Sequence, residues 1–392
     1  MELYIHIPFC IKKCDYCDFL SGPADSKTKE KYVEALIKEI EASKLSKDKE
    51  NIITSVFVGG GTPSILECSQ IKRIADAVKN TFTFKEGAEI TVEMNPGTVT
   101  KKKLLALKEA GVNRLSIGLQ SADDKELKIL GRIHTYNVFL NSYEMAREAG
   151  FDNINVDLIS AVPGQSVSSW RTTLKKVAEL NPEHISAYSL IIEEETPFYE
   201  KYGDDNGNDL IESNNTDSLP DEVSERLMYE ETEEILSAYG YHRYEISNYS
   251  KDGKECVHNK GYWKCQDYIG LGLGASSLVN GKRFHNTEDM SNYIENSFKP
   301  KSIKEDVITL SIEEKIEEFM FLGLRMTKGI SLDEFKKRFG IDIKNVYAKE
   351  IEQFKEEGFM DLKDGRVFLT KQGVDVSNQI FVEFMEPEVN IM

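Results

Sequence analysis

Three of the six cysteines, Cys10, Cys14 and Cys17, fall at CxxxCxxC spacing directly after the alternating apolar segment Leu3–Ile7. Thiolates are the ligands that soft iron centres select, and closely spaced cysteines hold cubane iron–sulfur clusters. Three thiolates on a four-iron cubane leave one iron without a protein ligand, and an open metal position is where chemistry can occur. The next cysteine, Cys68, is too far along the chain to close the set locally. A structural zinc would want four ligands in paired CxxC groups, and a disulfide staple would need an oxidising compartment. The spacing alone leaves iron–sulfur beside these alternatives.

Further along, the second apolar segment runs into Gly59-Gly60-Gly61-Thr62-Pro63. Successive glycines let a backbone approach a ligand closely, although tight turns look similar. Glu93, in VEMNP, stands on an otherwise apolar strand, a costly placement unless it is paired or faces a wet cavity. Gln120 in SIGLQS and Asp157 in NVDLIS also sit at strand ends, and Arg132 in LGRIHT follows a short helix. His134, two residues on, reads as a satisfied loop histidine.

Taken together, Tyr4, the three cysteines and Tyr16 resemble the opening of radical S-adenosylmethionine (SAM) proteins, and YIHIPFCIKKCDYCDF resembles the HemN/HemW group within them. That group comprises oxygen-independent coproporphyrinogen III oxidases and their haem-chaperone relatives. The resemblance implies a [4Fe-4S] cluster on Cys10, Cys14 and Cys17, with SAM on the open iron. It also implies SAM contacts from Tyr4, Tyr16, Gly60, Gly61, Thr62, Glu93, Gln120, Arg132 and Asp157. In such proteins an electron from the cluster cleaves the sulfonium to a 5′-deoxyadenosyl radical, which calls for an electron donor such as a flavodoxin or ferredoxin.

Two features separate the branches of the group. The decarboxylases resemble CxxxCxxCxC, whereas here the last position is Phe19, as in the haem-chaperone branch. The stretch His258-Asn259-Lys260-Gly261-Tyr262-Trp263 contains HNxxYW, a motif of the same branch. An imidazole can ligate haem iron, so the resemblance implies haem as a further cofactor with His258 as its axial ligand. The bland alternative is a His258 bonded to its neighbours and a Trp263 that fills core. Ser276, in YIGLGLGASS, departs from the histidine that many relatives carry there. The reading is a haem chaperone that passes haem to haem-dependent apoproteins; oxidative decarboxylation of coproporphyrinogen III is the alternative.

The elements that must position these residues follow from pattern. Strands are expected at Leu3–Ile7, Ile53–Val58, Glu89–Met94, Arg114–Leu119, Asn153–Ile159 and His184–Ile191, alternating with helices such as Thr28–Ala42, Thr100–Ala110 and Asn137–Ala149. Six βα units make an open, partial TIM-type (β/α)6 barrel, an α/β fold, with function at the C-terminal strand ends. The expected division is a core barrel over 1–221, a covering segment over 222–300 and a mainly helical, winged-helix-like domain over 301–392. Gly203–Asp221, rich in Gly, Asn and Asp, reads as a solvated surface loop.

The chain has 392 residues and a net charge of −18. Across residues 311–392, acidic residues outnumber basic ones 17 to 12, so no nucleic-acid partner is expected despite the winged-helix pattern. No apolar run is long enough for a membrane span, and residues 1–20 begin as a strand rather than a signal peptide. Six scattered cysteines suit a reducing cytoplasm.

Overall fold

The computed structural model describes residues 1–45, 51–203 and 218–385. Twelve strands form one sheet: β1 (Glu2–Ile7), β2 (Ile53–Gly60), β3 (Phe84–Met94), β4 (Arg114–Gln120), β5 (Ile154–Ser160), β6 (His184–Ser189), β7 (His242–Glu245), β8 (Asn248–Ser250), β9 (Tyr268–Leu271), β10 (Ser276–Val279), β11 (Lys282–Asn286) and β12 (Lys304–Thr309). Their order across the sheet is β12-β11-β10-β9-β1-β2-β3-β4-β5-β6-β8-β7. From β1 to β6 the strands are parallel and in sequence order. A parallel sheet wound in one direction places its crossover helices on a single face and curls around the other. All six expected strands and their connecting helices are present.

Alternation along the strands explains the curl. Leu3, Ile5 and Ile7 of β1, Leu115, Ile117 and Leu119 of β4, and Val156 and Leu158 of β5 are buried in one apolar core against the helices. The intervening positions are polar: Tyr4 and His6, Ser116, Asn155 and Asp157, Ser186. Period-two side chains therefore give the sheet one oily and one polar face. Residues from β1 to β6 line one cavity on the polar side, so the sheet wraps around it.

Helix ends follow their punctuation. The helix Lys101–Glu109 is capped by the Thr100 side chain, which accepts from the Lys103 amide, and the helix Tyr136–Glu148 by Thr135. Gly111 and Gly150 follow these helices at positive φ, the conformation that terminates a helix most cheaply in glycine.

The stretch 222–300 does more than cover the barrel. It lengthens the sheet at both edges, with β9 parallel beside β1 and β8 antiparallel beside β6. The short helix Val257–Trp263 packs on β2, and the Glu89 carboxylate accepts from the amides of Val257 and His258. Glu39, buried on the helix Ser26–Ala42, accepts from the Gly272 amide (2.8 Å), Asn286 Nδ2 (2.6 Å) and the Tyr293 hydroxyl (2.6 Å), which ties the added strands to the first βα unit.

The large sheet continues through β12 to Thr309, so it runs past the boundary expected at 300 because β12 pairs with β11. A second apolar core then gathers the helices Ile312–Leu324, Leu332–Phe339 and Lys344–Glu356 with a three-stranded sheet of β13 (Ile330–Ser331), β14 (Met360–Lys363) and β15 (Arg366–Leu369). Helices followed by a hairpin give the expected winged-helix arrangement. This unit docks through Thr327, whose amide donates to the Tyr244 carbonyl at 3.0 Å, and through Arg338, which donates to the carbonyls of Lys264 and Cys265. The expected loop at Gly203–Asp221 lies mostly outside the described residues. No described helix is long and apolar enough to cross a membrane.

One packing detail carries a measurable consequence. Glu2 is fully buried at the start of β1, and its carboxylate oxygens have no hydrogen-bond partner among the described residues. A Cβ at Gly261 would lie 2.0 Å from Glu2 Oε1, so only glycine fits there. Burial pushes the Glu2 carboxyl up to about 8 and, with three hydrogen bonds opposing, Glu39 up to about 7. Between the ordinary carboxylate range and those values, the folded state holds protons that the unfolded chain has lost, so stability falls as pH rises through that window. Urea unfolding midpoints should therefore drop between pH 5 and 8.5. Glu2→Gln should flatten the dependence, recovering on the order of 1–4 kcal/mol at the alkaline end. A midpoint that rises with pH, or an unchanged slope in the variant, contradicts this.

Candidate functional site

The cysteine loop leaves the C-terminal end of β1 and is held by backbone contacts. The Cys10 amide donates to the Gly22 carbonyl at 2.9 Å, and the Asp15 amide donates to the Leu130 carbonyl at 3.3 Å. Asp15 sits against Gly131, where a Cβ would come within 2.6 Å of its carboxylate. All six cysteines are unpaired thiols, which removes the disulfide alternative.

Cys10, Cys14 and Cys17 line one cavity of about 400 Å³ together with Tyr16, Gly60, Gly61, Glu93, Gln120, Arg132 and Asp157. The expected residues thus converge from the ends of β2, β3, β4 and β5, although they are scattered over the first 160 positions. Thr62 stands behind them, its hydroxyl 3.4 Å from Cys10 Sγ and accepting from Asn95 Nδ2 at 2.9 Å. Tyr4 lies deeper, in an adjoining chamber that shares Phe19, Gly60, Glu93 and Asp157.

The glycine run is required by packing before any ligand is considered. Gly60 has φ +105°, and a Cβ on it would fall 2.3 Å from the His6 ring; one on Gly59 would fall 2.9 Å from Glu93 Oε2. The Gly60 amide donates to Glu93 Oε2 at 3.1 Å. Withdrawal from water, with Asp157 nearby, pushes the Glu93 carboxyl up to about 8, and burial raises Asp157 as well. No described ion pair neutralises Glu93, so the salt-bridge reading gives way to a carboxyl facing a cavity.

Arg132 links the loop to the strand ends. Its Nη1 reaches Cys14 Sγ at 3.5 Å, while Nη2 donates to Asn95 Oδ1 (2.8 Å) and the Gly118 carbonyl (2.6 Å). Burial pushes the Cys17 thiol up to about 11. Among the described residues no three His, Cys, Asp or Glu side chains converge closely enough for a single metal ion. Cys256 and Cys265 lie outside the cavity, their thiols raised by burial to about 12.

The inner chamber, about 490 Å³, brings the HNxxYW stretch to the same site: His258, Asn259 and Tyr262 line it beside Tyr4, His6, Phe19, Phe57 and Ser276. His6 Nε2–H donates to the Leu20 carbonyl, so Nδ1 accepts from the Tyr4 hydroxyl at 2.9 Å. His258 is fully buried and stacked on Phe57, with Nδ1 2.9 Å from Ser55 Oγ and Nε2 3.0 Å from the Tyr262 hydroxyl. Burial holds it down to about 3, so it is neutral, and its 3.8 Å approach to the protonated Glu2 is not an ion pair. With both ring nitrogens engaged, iron ligation would require the Tyr262 hydroxyl to leave Nε2. His134, bonded to the Leu119 carbonyl at 3.2 Å, is the satisfied histidine expected.

Sequence reasoning missed Asn95, Arg114, Ser116, Asn155 and His184. Asn155 donates to Ser116 Oγ and Asp157 Oδ1 (both 2.7 Å), and its Oδ1 accepts from His184 Nδ1 (2.6 Å) and Ser186 (3.2 Å). The only signal in the sequence was period-two polarity in strands otherwise built of Val, Ile and Leu.

Comparison with known proteins accords with this geometry. Residues 4–177 match the Radical SAM superfamily and residues 310–376 the HemN C-terminal domain. The chain is 36% identical over 383 residues to a protein of Bacillus subtilis named Heme chaperone HemW, covering 97% of this chain and 98% of that one. It is 33% identical over 387 residues to the Lactococcus lactis protein of the same name, covering 99% and 98%. The solved structure of coproporphyrinogen III oxidase (HemN) from Escherichia coli superposes with a TM-score of 0.82 at 23% identity, over 98% of this chain and 90% of that one, a likeness of fold. Curled sheet, cysteine loop, HNxxYW wall and near full-length identity lead to one assignment: the chain belongs to the HemW family of radical SAM proteins.

Proposed function

We propose that this protein is a haem-handling radical SAM protein. In this reading Cys10, Cys14 and Cys17 hold a [4Fe-4S] cluster, SAM occupies the adjoining cavity, and haem is bound and passed to haem-dependent apoproteins. What carries the reading is the convergence of the three thiols with Gly60, Gly61, Glu93, Gln120, Arg132 and Asp157 on one cavity, in a chain of this family. Phe19 in place of a fourth clustered cysteine supports the carrier over the decarboxylase.

When bound, cluster and SAM together supply one-electron cleavage of a sulfonium. The protein's own part is positioning and shielding. Arg132 contacts Cys14 Sγ and the Gly118 carbonyl and so fixes the loop to β4. Glu93 and Asp157 offer carboxyl groups to an amine or a ribose. The Gly60–Gly61 backbone leaves room for a ligand beside them. Phe19, Tyr4 and Tyr188 wall the passage to the inner chamber. An electron donor such as a flavodoxin or ferredoxin would meet the cluster where Ile11 and Phe19 are exposed, and a reducing cytoplasm would preserve it.

Three outcomes test the reading. Joint substitution of Cys10, Cys14 and Cys17 by Ala should abolish the iron content and brown absorbance of anaerobically reconstituted protein, whereas Cys256→Ala should keep both; retained iron in the triple variant refutes the cluster assignment. Arg132→Ala should weaken SAM binding at least tenfold by calorimetry, about 1.4 kcal/mol; unchanged affinity refutes its role. Protein with SAM, reductant and coproporphyrinogen III should yield no vinyl product while haemin gives a shifted Soret band, and robust decarboxylation would overturn the carrier reading.

A further inference from the structure

Arg114 opens β4, lines the inner chamber and is 1% exposed. Among the described residues its guanidinium donates no hydrogen bond, Nε has no acceptor, and no carboxylate lies within ion-pairing distance. The acidic groups that face it are already committed. Glu89 accepts from the amides of Val257 and His258 and from the Cys256 thiol. Asp157 accepts from Ser116 and Asn155. Glu93 accepts from the Gly60 amide. Tyr244, a further polar neighbour, gives its hydroxyl to His184. Burying a cation without a partner is costly, and native structures tolerate it where an occupant completes the pairing.

Resting on the haem-handling reading, we propose that Arg114 is the receptor for a carboxylate of the ligand that enters the inner chamber, separate from the residues assigned to SAM. Arg114 lines the inner chamber and not the cysteine cavity, in which Gln120, at the other end of β4, and the three thiols lie. A carboxylate on an arm of a ligand in the inner chamber meets it there, and a propionate on a tetrapyrrole edge has that form. A planar fork of five donors suits a carboxylate in two-point contact, which Lys would not reproduce. The walls between, Tyr4, Phe57 and Tyr262, are aromatic and suit a flat apolar body.

SAM also carries a carboxylate, so the test separates the two sources. Wild-type protein and Arg114→Gln are titrated with haemin and with haemin dimethyl ester, and SAM binding is measured in parallel. Wild type should bind the diacid at least tenfold more tightly than the diester, and Arg114→Gln should lose that preference while its SAM affinity stays within twofold. Equal binding of diacid and diester by wild type overturns the proposal alone, whereas failure of wild type to bind either form overturns the haem-handling reading with it. Loss of SAM affinity with haemin binding unchanged assigns the carboxylate to SAM and also overturns it. Should Arg114→Gln fail to melt cooperatively, Arg114→Lys replaces it, with a reduced diacid preference expected and a wild-type preference refuting the role.

Discussion

Polar side chains on one face of a parallel sheet have to go somewhere, and in this molecule the place they go is a chamber. Strands carrying Leu, Ile and Val toward the helices carry Tyr4, His6, Ser116, Asn155, Asp157 and Ser186 the other way, and the sheet curls around them. The same alternation supplies the stability of the outer layer and the chemistry of the inner one. Buried polar groups are tolerable there because nearly all are satisfied: Asn155 uses both ends of its amide, and His6 and His184 use both ring nitrogens. Exceptions such as Arg114 mark where the chamber is incomplete without an occupant.

The cysteine loop is built onto the rim of that chamber rather than into it. Its backbone is pinned to Gly22 and Leu130, and Arg132 reaches from beneath to Cys14. Three thiols are thus held at a mouth whose floor is set by Glu93, Gln120 and Asp157. On the far side, the helix Val257–Trp263 brings His258 and Tyr262 into the wall, so the HNxxYW stretch borders the space next to the cysteine loop. Its Trp263 faces away, toward Arg325 of the second unit, 4.5 Å from the ring. One short helix therefore joins the chamber to the C-terminal domain.

Much of this was legible in the sequence. The six strands and their helices were readable because each combines an apolar period with a cap or glycine stop, as at Thr100 and Gly111. The residues expected at the site came from the cysteine spacing and the family resemblance, and the structure places each of them on the two joined cavities or, for Thr62, directly behind. What was hidden depended on tertiary contact. Short β9 and β10, joined through the glycines Gly272 and Gly274, gave no pattern that distinguished sheet from loop, and β12 fell within the stretch after 300 that read as mainly helical. Arg114 read as the edge of a strand, since only the fold shows that its neighbours are spoken for. The glycines at 59–61 were read as room for a ligand, whereas packing against His6 and Glu93 already demands them.

The central claim is that three sulfurs hold a cubane whose fourth iron is open to SAM. Electron paramagnetic resonance of the reduced, anaerobically reconstituted protein tests it most directly, with SAM added to one half of the sample. The account predicts a [4Fe-4S]+ signal whose g-values shift when SAM is present. A signal indifferent to SAM, or reconstituted protein that holds zinc in place of iron, would contradict it.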